Sequence, residues 1–167
     1  MNKPLSSLVA NGVGLGEKVL LQVYRARPDG YAPRPDIECY GDDLIVTTGL
    51  NYIAIRIGHG DTIASAMAYM AVGTVTTAAT YTDTTLTGEV KRKALSTASA
   101  TGNLWNGVTT LGGFADTVTS LQMTEAGILN HASSGQGTLY QRVTFSQVTL
   151  ADSDLLKLTL QTNVGSR

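Results

Sequence analysis

The sequence predicts a mainly β protein: an antiparallel β-sandwich or jelly-roll-like fold with at most one or two short helices and an N-terminal arm. Three observations predict it. Charged residues make up 15% of the chain, against about 25% in an average soluble protein. Thr, Ser and Gly take their place, with 18 Gly in all; Thr favours strands and Gly favours turns. Apolar residues alternate with polar ones at period two in several segments, and clusters of Gly, Pro, Asp and Ser punctuate those segments. One core suffices for 167 residues, because a chain of this size buries about two-thirds of its unfolded surface. The expected organisation is an arm over 1–16 and a single sandwich domain over 17–167.

Leu5, Leu8 and Val9 stand at i, i+3, i+4 spacing, which allows one helical turn. Together with Leu15 they would give the arm an apolar side, suited to docking on a neighbour or covering a strand edge. Gly12-Val13-Gly14-Leu15-Gly16 lacks the spacing of a dinucleotide-binding loop and precedes a strand, where such a loop follows one. It is expected to be a hinge between arm and domain.

The first strand is expected over 17–27, with Val19, Leu21 and Val23 on one face and Lys18, Gln22 and Tyr24 on the other. Pro28-Asp29-Gly30 makes a turn, and three of the four prolines (Pro28, Pro33, Pro35) mark 28–36 as an exposed loop. Leu44-Ile45-Val46 is a short strand. From Gly49 to Gly60 the spacing fits both periods; Thr48 as a cap and Gly58 as a terminator favour a helix. Residues 66–72 predict a buried strand, 73–87 a Thr-rich loop, and 86–95 continues with mixed polarity. Residues 97–106 predict an exposed hairpin loop that ends on Trp105, a packing or interface point. Gly112-Gly113 is a break. The segments 117–123, 125–129, 138–148 and 155–162 predict strands, with 131–137 as a connection. The last has Leu156, Leu158 and Leu160 on one face and Lys157, Thr159 and Gln161 on the other, as in a sheet with one wet side. About eight strands and one helix result.

Function classes narrow by composition. A net charge of −1 offers no basic surplus for a phosphate backbone, so no nucleic-acid partner is expected. No apolar run reaches the roughly 18 residues of a membrane span, and the first residues lack the apolar core of a signal peptide. Synthesis in a reducing cytoplasm, without membrane attachment or secretion through the general pathway, is the expectation. The single cysteine, Cys39, with His59 and His131 at distant positions, supplies no zinc spacing, so neither metal nor cofactor is expected. Asp42-Asp43 and Asp152/Asp154 each stand at a loop-to-strand entry, where Asp serves turns and caps. No G-x-S-x-G elbow occurs, and no residue set predicts catalysis. Lys91-Arg92-Lys93, next to Glu89, predicts a solvated strand face or a salt-bridging interface patch. A nearly neutral, weakly charged surface favours association.

Five segments in order carry a resemblance. A first strand ends in a D-G turn (24–30); "DLIVTTGLNYIA" follows (43–54), then "MAVGTVTTAATYTDTTLTGEVKR" (70–92), "TEAGILNHASSG" (124–135) and "LYQRVTFSQVTLADSDLLKLTLQ" (139–161). In this order the chain resembles a family of small structural proteins of tailed bacteriophages over most of 17–162. It departs from the family pattern at Val75, where the loop usually carries Gly, and at Gly127-Ile128-Leu129-Asn130. The resemblance implies a virion structural protein without catalysis. The first reading is a capsid decoration (cement) protein that bridges major capsid subunits as a homo-oligomer, dimer or trimer. The alternative is a tail, baseplate or tail-fibre-associated part. A carbohydrate-binding module would expose an aromatic platform, and aromatics are only 6% of the chain. Candidate interface residues are Leu5, Leu8, Val9, Leu15 and Trp105.

Overall fold

The computed structural model describes residues 13–41, 44–58, 65–113 and 120–166. Among them the chain forms ten strands and one helix: β1 (Val13–Tyr24), β2 (Ile37–Gly41), β3 (Leu44–Ile45), α1 (Thr47–Gly58), β4 (Tyr69–Gly73), β5 (Glu89–Ala94), β6 (Thr97–Thr101), β7 (Leu104–Gly112), β8 (Leu121–Leu129), β9 (Leu139–Leu150) and β10 (Leu155–Ser166). They make two five-stranded antiparallel sheets. The first runs β2-β1-β10-β7-β6 and the second β3-β9-β8-β4-β5. The expected mainly β, antiparallel sandwich class is what the chain adopts.

The period-two alternation explains the first sheet. β1 and β10 pair along their whole length, and Val19, Leu21 and Val23 stand opposite Leu160, Leu158 and Leu156. All six are at most 3% exposed. Leu111 of β7 pairs with Leu156 and extends the apolar face. Against it pack Met70, Val72, Met123, Ile128, Val143, Val148 and Leu150 from the second sheet, giving a single core between the layers. Thr109 of β7 faces the same interior, and its hydroxyl donates to the Ala94 carbonyl of β5 at 2.8 Å. That bond ties one sheet to the other and satisfies a buried hydroxyl.

The second sheet is covered on both faces. Its far side carries a smaller cluster of Val46, Ala71, Leu86, Leu129 and Leu139. Leu86 belongs to the 74–88 loop, which therefore lies over the sheet instead of trailing into solvent. Helix α1 covers another part of that side. Gly49 seats it: a Cβ there would collide with the Tyr140 carbonyl and lie 2.9 Å from the Tyr140 Cα. Tyr52 then meets the Tyr140 ring edge-on, with centroids 6.3 Å apart, and Arg56 stacks on Tyr52. Ala at position 49 would gain about 1 kcal/mol of helix propensity. Overpacking against backbone, which cannot rotate away, typically costs about 1–3 kcal/mol. The clash wins, and Gly49→Ala is expected to lower the melting temperature in differential scanning calorimetry.

Several boundaries differ from the sequence expectation. β1 begins at Val13, and Gly14 and Gly16 pair with Gly165 and Asn163 of β10. The expected hinge is therefore strand from Val13 onward, and residues 1–12 of the expected arm lie outside the described residues. Residues 97–106 are not a loop: β6 and the first three residues of β7 occupy them, with only Gly102 and Asn103 between. Gly102 has φ +60°, as a tight turn requires. β2 was not expected at all. The separate strands at 117–123 and 125–129 merge into β8, with a ladder irregularity between Met123 and Glu125; 117–119 lie outside the described residues. Helix α1 ends on Gly58 as expected, but Thr48 does not cap it by its side chain. The Thr48 hydroxyl instead donates to the Leu139 carbonyl at 2.6 Å.

Candidate functional site

The densest polar chemistry sits on the loop-covered side of the second sheet. Glu125 of β8 is fully buried and Arg142 of β9 is 4% exposed. Arg142 Nε donates to Glu125 Oε2 at 2.7 Å, Nη1 to Asp83 Oδ2 at 2.7 Å, and Nη2 to the Thr77 carbonyl at 3.0 Å. The other carboxylate oxygen of Glu125 accepts from the Gly88 N–H at 3.3 Å. Gly73 makes room for that carboxylate, since a Cβ there would collide with it. Asp83 in turn accepts from the Thr80 N–H at 2.9 Å and the Thr80 hydroxyl at 2.8 Å. Thr124 donates to the Val75 carbonyl at 3.0 Å. Burial pushes the Asp83 carboxyl up, but the Thr80 and Arg142 hydrogen bonds and the Arg142 charge hold it below its ordinary value. Burial likewise works against the Arg142 charge, and Asp83 and Glu125 together raise its pKa. Arg142 holds the Thr-rich loop directly at Thr77 and Asp83, and its partner Glu125 holds the loop's end at Gly88. Sequence reasoning missed this arrangement; the available signal was a single charged residue inside each of two strands, Glu125 in β8 and Arg142 in β9.

Two further clamps fix loops. Arg92 of β5 forks onto Glu89, at 2.7 Å from Nε and 2.6 Å from Nη2, and its Nη1 donates to the carbonyls of His131 and Gln136 at 2.7 and 3.0 Å. Both side chains are at most 5% exposed. Arg92 is thus an internal clamp on the 131–137 connection, and the solvated-face reading of the basic run is corrected at that residue. His131 serves the same connection: its Nδ1 accepts from the Ser133 N–H at 3.1 Å.

Asp154 performs the turn role expected of it. It accepts from the Ala26 N–H at 2.9 Å and the Ala151 N–H at 3.0 Å, and it pairs with the Arg25 guanidinium. Arg25 also donates to the Thr149 carbonyl, and Tyr31 Oη donates to the Ser153 carbonyl at 2.6 Å. Asp36 accepts from the Arg25 N–H and pairs with Arg27 at 2.5 Å. The Pro-rich loop is exposed yet tied to the sandwich at these points. Asp154→Ala strands two N–H groups and is expected to cost about 2–3 kcal/mol in urea unfolding.

Acid sensitivity follows from the same groups. Burial raises the Asp154 carboxyl, but the Ala26 and Ala151 N–H groups and Arg25 outweigh it and leave it lowered. Asp36 is lowered chiefly by the Arg25 N–H. A carboxyl depressed in the folded state binds protons more readily when unfolded, so its contribution is complete above the ordinary value of 3.8 and vanishes as pH falls through the folded value. Stability is therefore expected to hold above that value and drop steeply below it. Asp83→Asn should make the drop shallower, as read from urea midpoints across the acid range.

An open depression of about 520 Å³ is lined by Cys39, Tyr40, Thr76, Thr144, Phe145 and Ser146. Tyr40 is 70% exposed at its rim. Among the described residues no group of three or more His, Cys, Asp or Glu side chains stands close enough to hold a metal ion. His59, Asp42 and Asp43 lie outside the described residues.

Of the expected interface residues, Leu5, Leu8 and Val9 also lie outside them. Leu15 stands in β1 opposite Val164, while Trp105 of β7 stands opposite Thr162, two residues earlier on β10. The ladder thus brings Leu15 and Trp105 to the same end of the first sheet. Trp105 is half-buried and lies over Gly107, where a Cβ would be 2.5 Å from the indole. Packing on the core rim accounts for its inward side.

Four strands form the sheet edges: β2, β6, β3 and β5. Comparison with protein-family models, with curated proteins and with solved structures finds no match to this chain.

Proposed function

We propose that this chain is a structural protein of a tailed-bacteriophage virion, and specifically a capsid decoration protein that bridges major capsid subunits. The observation that carries the reading is the order of the five resembling segments along 17–162. The architecture is compatible with that role. A neutral β-sandwich whose long loops are clamped by Arg142, Arg92 and Asp154 offers a rigid surface with little to rearrange on docking. A cement protein acts by burying surface shared between neighbours, which stabilises the shell by mass action and by lattice avidity. The docking elements in this reading are residues 1–12, the tethered 28–36 loop and the β6–β7 hairpin.

Imaging the virion tests it. The expected result is density of this size over junctions between capsid subunits, lost when the gene is deleted. Co-purification with tails after heads are removed would overturn the decoration reading in favour of a tail or baseplate part. Deleting residues 1–12 should lower capsid occupancy while leaving the melting temperature unchanged; unchanged occupancy excludes the arm.

A further inference from the structure

Strand β6 is unlike the other three edges. Every residue from Ser96 to Leu104 is exposed, so Thr97–Thr101 buries neither face and is held by the β7 ladder alone. A strand that buries no face gains little, and a two-stranded ribbon is marginal in water. Natural edges left free are normally guarded by charge, proline, a bulge or brevity. The other edges here follow that rule. β5 carries Glu89, Lys91, Arg92 and Lys93, with a ladder irregularity at Val72/Gly73. β2 carries Glu38 and follows directly on Asp36. β3 is two residues long. β6 reads Thr-Ala-Ser-Ala-Thr, and no charged residue or proline occurs from Ser96 to Leu104.

We infer that β6 is a pairing edge for β6 of a second copy of this chain. The sequence of the strand supports that occupant over a foreign one. Read antiparallel about a two-fold axis, Thr-Ala-Ser-Ala-Thr is its own complement: Ser99 meets its counterpart, Ala98 meets Ala100, and Thr97 meets Thr101. A β5–β5 contact would set like charges against each other, which costs stability in directly opposed pairs. β6 meets no charge on its copy, and opposed Thr side chains are favourable cross-strand partners. The two-fold contact is isologous and closes at a dimer. Pairing would join the two first sheets into one continuous ten-stranded sheet, counting five strands from each copy. The exposed Leu104 at the end of the hairpin lies beside this edge. The inference goes beyond the virion reading and does not rest on it, since it concerns the free protein.

Sedimentation velocity of the full chain across the micromolar range tests the pairing. The wild type is expected to shift from monomer to dimer with concentration, and Ala98→Lys/Ala100→Lys is expected to remain monomer with its melting temperature at low concentration unchanged. On a Cys39→Ser background, Ser99→Cys is expected to form a disulfide-linked dimer under mild oxidation, while Ser146→Cys, exposed at the depression on the second sheet, is not. A wild type that stays monomeric throughout, a double-lysine variant that still dimerises, or cross-linking at position 146 and not at 99 would each overturn the inference. Absence from virions would sink the proposed function and leave this result untouched.

Discussion

Arg142→Ala is expected to cost about 3–5 kcal/mol of folding stability, the range seen when one member of a buried ion pair is removed. The guanidinium pairs with the fully buried Glu125 carboxylate at 2.7 Å. Deleting it removes that carboxylate's ion-pair partner, strands the Thr77 carbonyl and leaves Asp83 with Thr80 as its donor. The structural consequence is local: the 74–88 loop loses its anchor while the core between the sheets keeps all its partners. Urea unfolding followed by circular dichroism checks the magnitude, and limited proteolysis, with cleavage mapped to 74–88, checks the location. The double variant Glu125→Gln/Arg142→Met removes both charges and keeps an acceptor for the Gly88 N–H. It is expected to recover more than half of the loss, because the cost lies in the orphaned charge more than in the lost attraction. A double variant as unstable as the single one would place the energy in the hydrogen bonds to the loop instead.

The elements legible in the sequence are those with one wet and one dry face. β1 and β10 alternate because Gln22 and Lys157 face solvent while Leu21 and Leu158 face the core. β9 was legible from Val143 and Phe145 alternating with polar residues. The loop laid over the outer side of β8 and β9 hid the meaning of Glu125 and Arg142, whose partners lie on other segments. β6 left no signal because it buries neither face; Thr, Ala and Ser in a row look like a loop when no core selects alternate positions. β7 was blurred by Gly107 and Thr109 at two inward positions, the first making way for Trp105 and the second bridging to Ala94. β2 was masked by the prolines before it and by Gly41, whose missing side chain lets Val143 of the other sheet come close. Helix α1 was legible from its spacing and from Gly58 at its end, yet the reason for Gly49, contact with the Tyr140 backbone, exists only in the packed state.

Gly127→Val tests the apolar half of the same loop attachment. Gly127 pairs with Arg142 on β9, and a Cβ there would meet Leu86 Cδ1 at 2.5 Å, with the Gln141 carbonyl and Leu139 Cδ1 at 2.9 Å. Leu86 is 4% exposed and is the loop's one member of the outer cluster. A branched side chain cannot be accommodated against backbone on one side, so Leu86 must leave. Overpacking costs about 1–3 kcal/mol, and a displaced Leu forfeits up to about 1.5–3 kcal/mol of burial, so a net loss of about 3 kcal/mol is expected. The informative quantity is the coupling with Arg142→Ala. If the polar and apolar anchors hold one cooperative loop, releasing either releases both, and the double variant must cost less than the two losses added. Strict additivity in urea unfolding would show that the Leu86 contact survives detachment at Arg142. The loop would then consist of two independently held parts, and the cleavage pattern of the single variants would separate accordingly, around 77–83 in one and around 86 in the other.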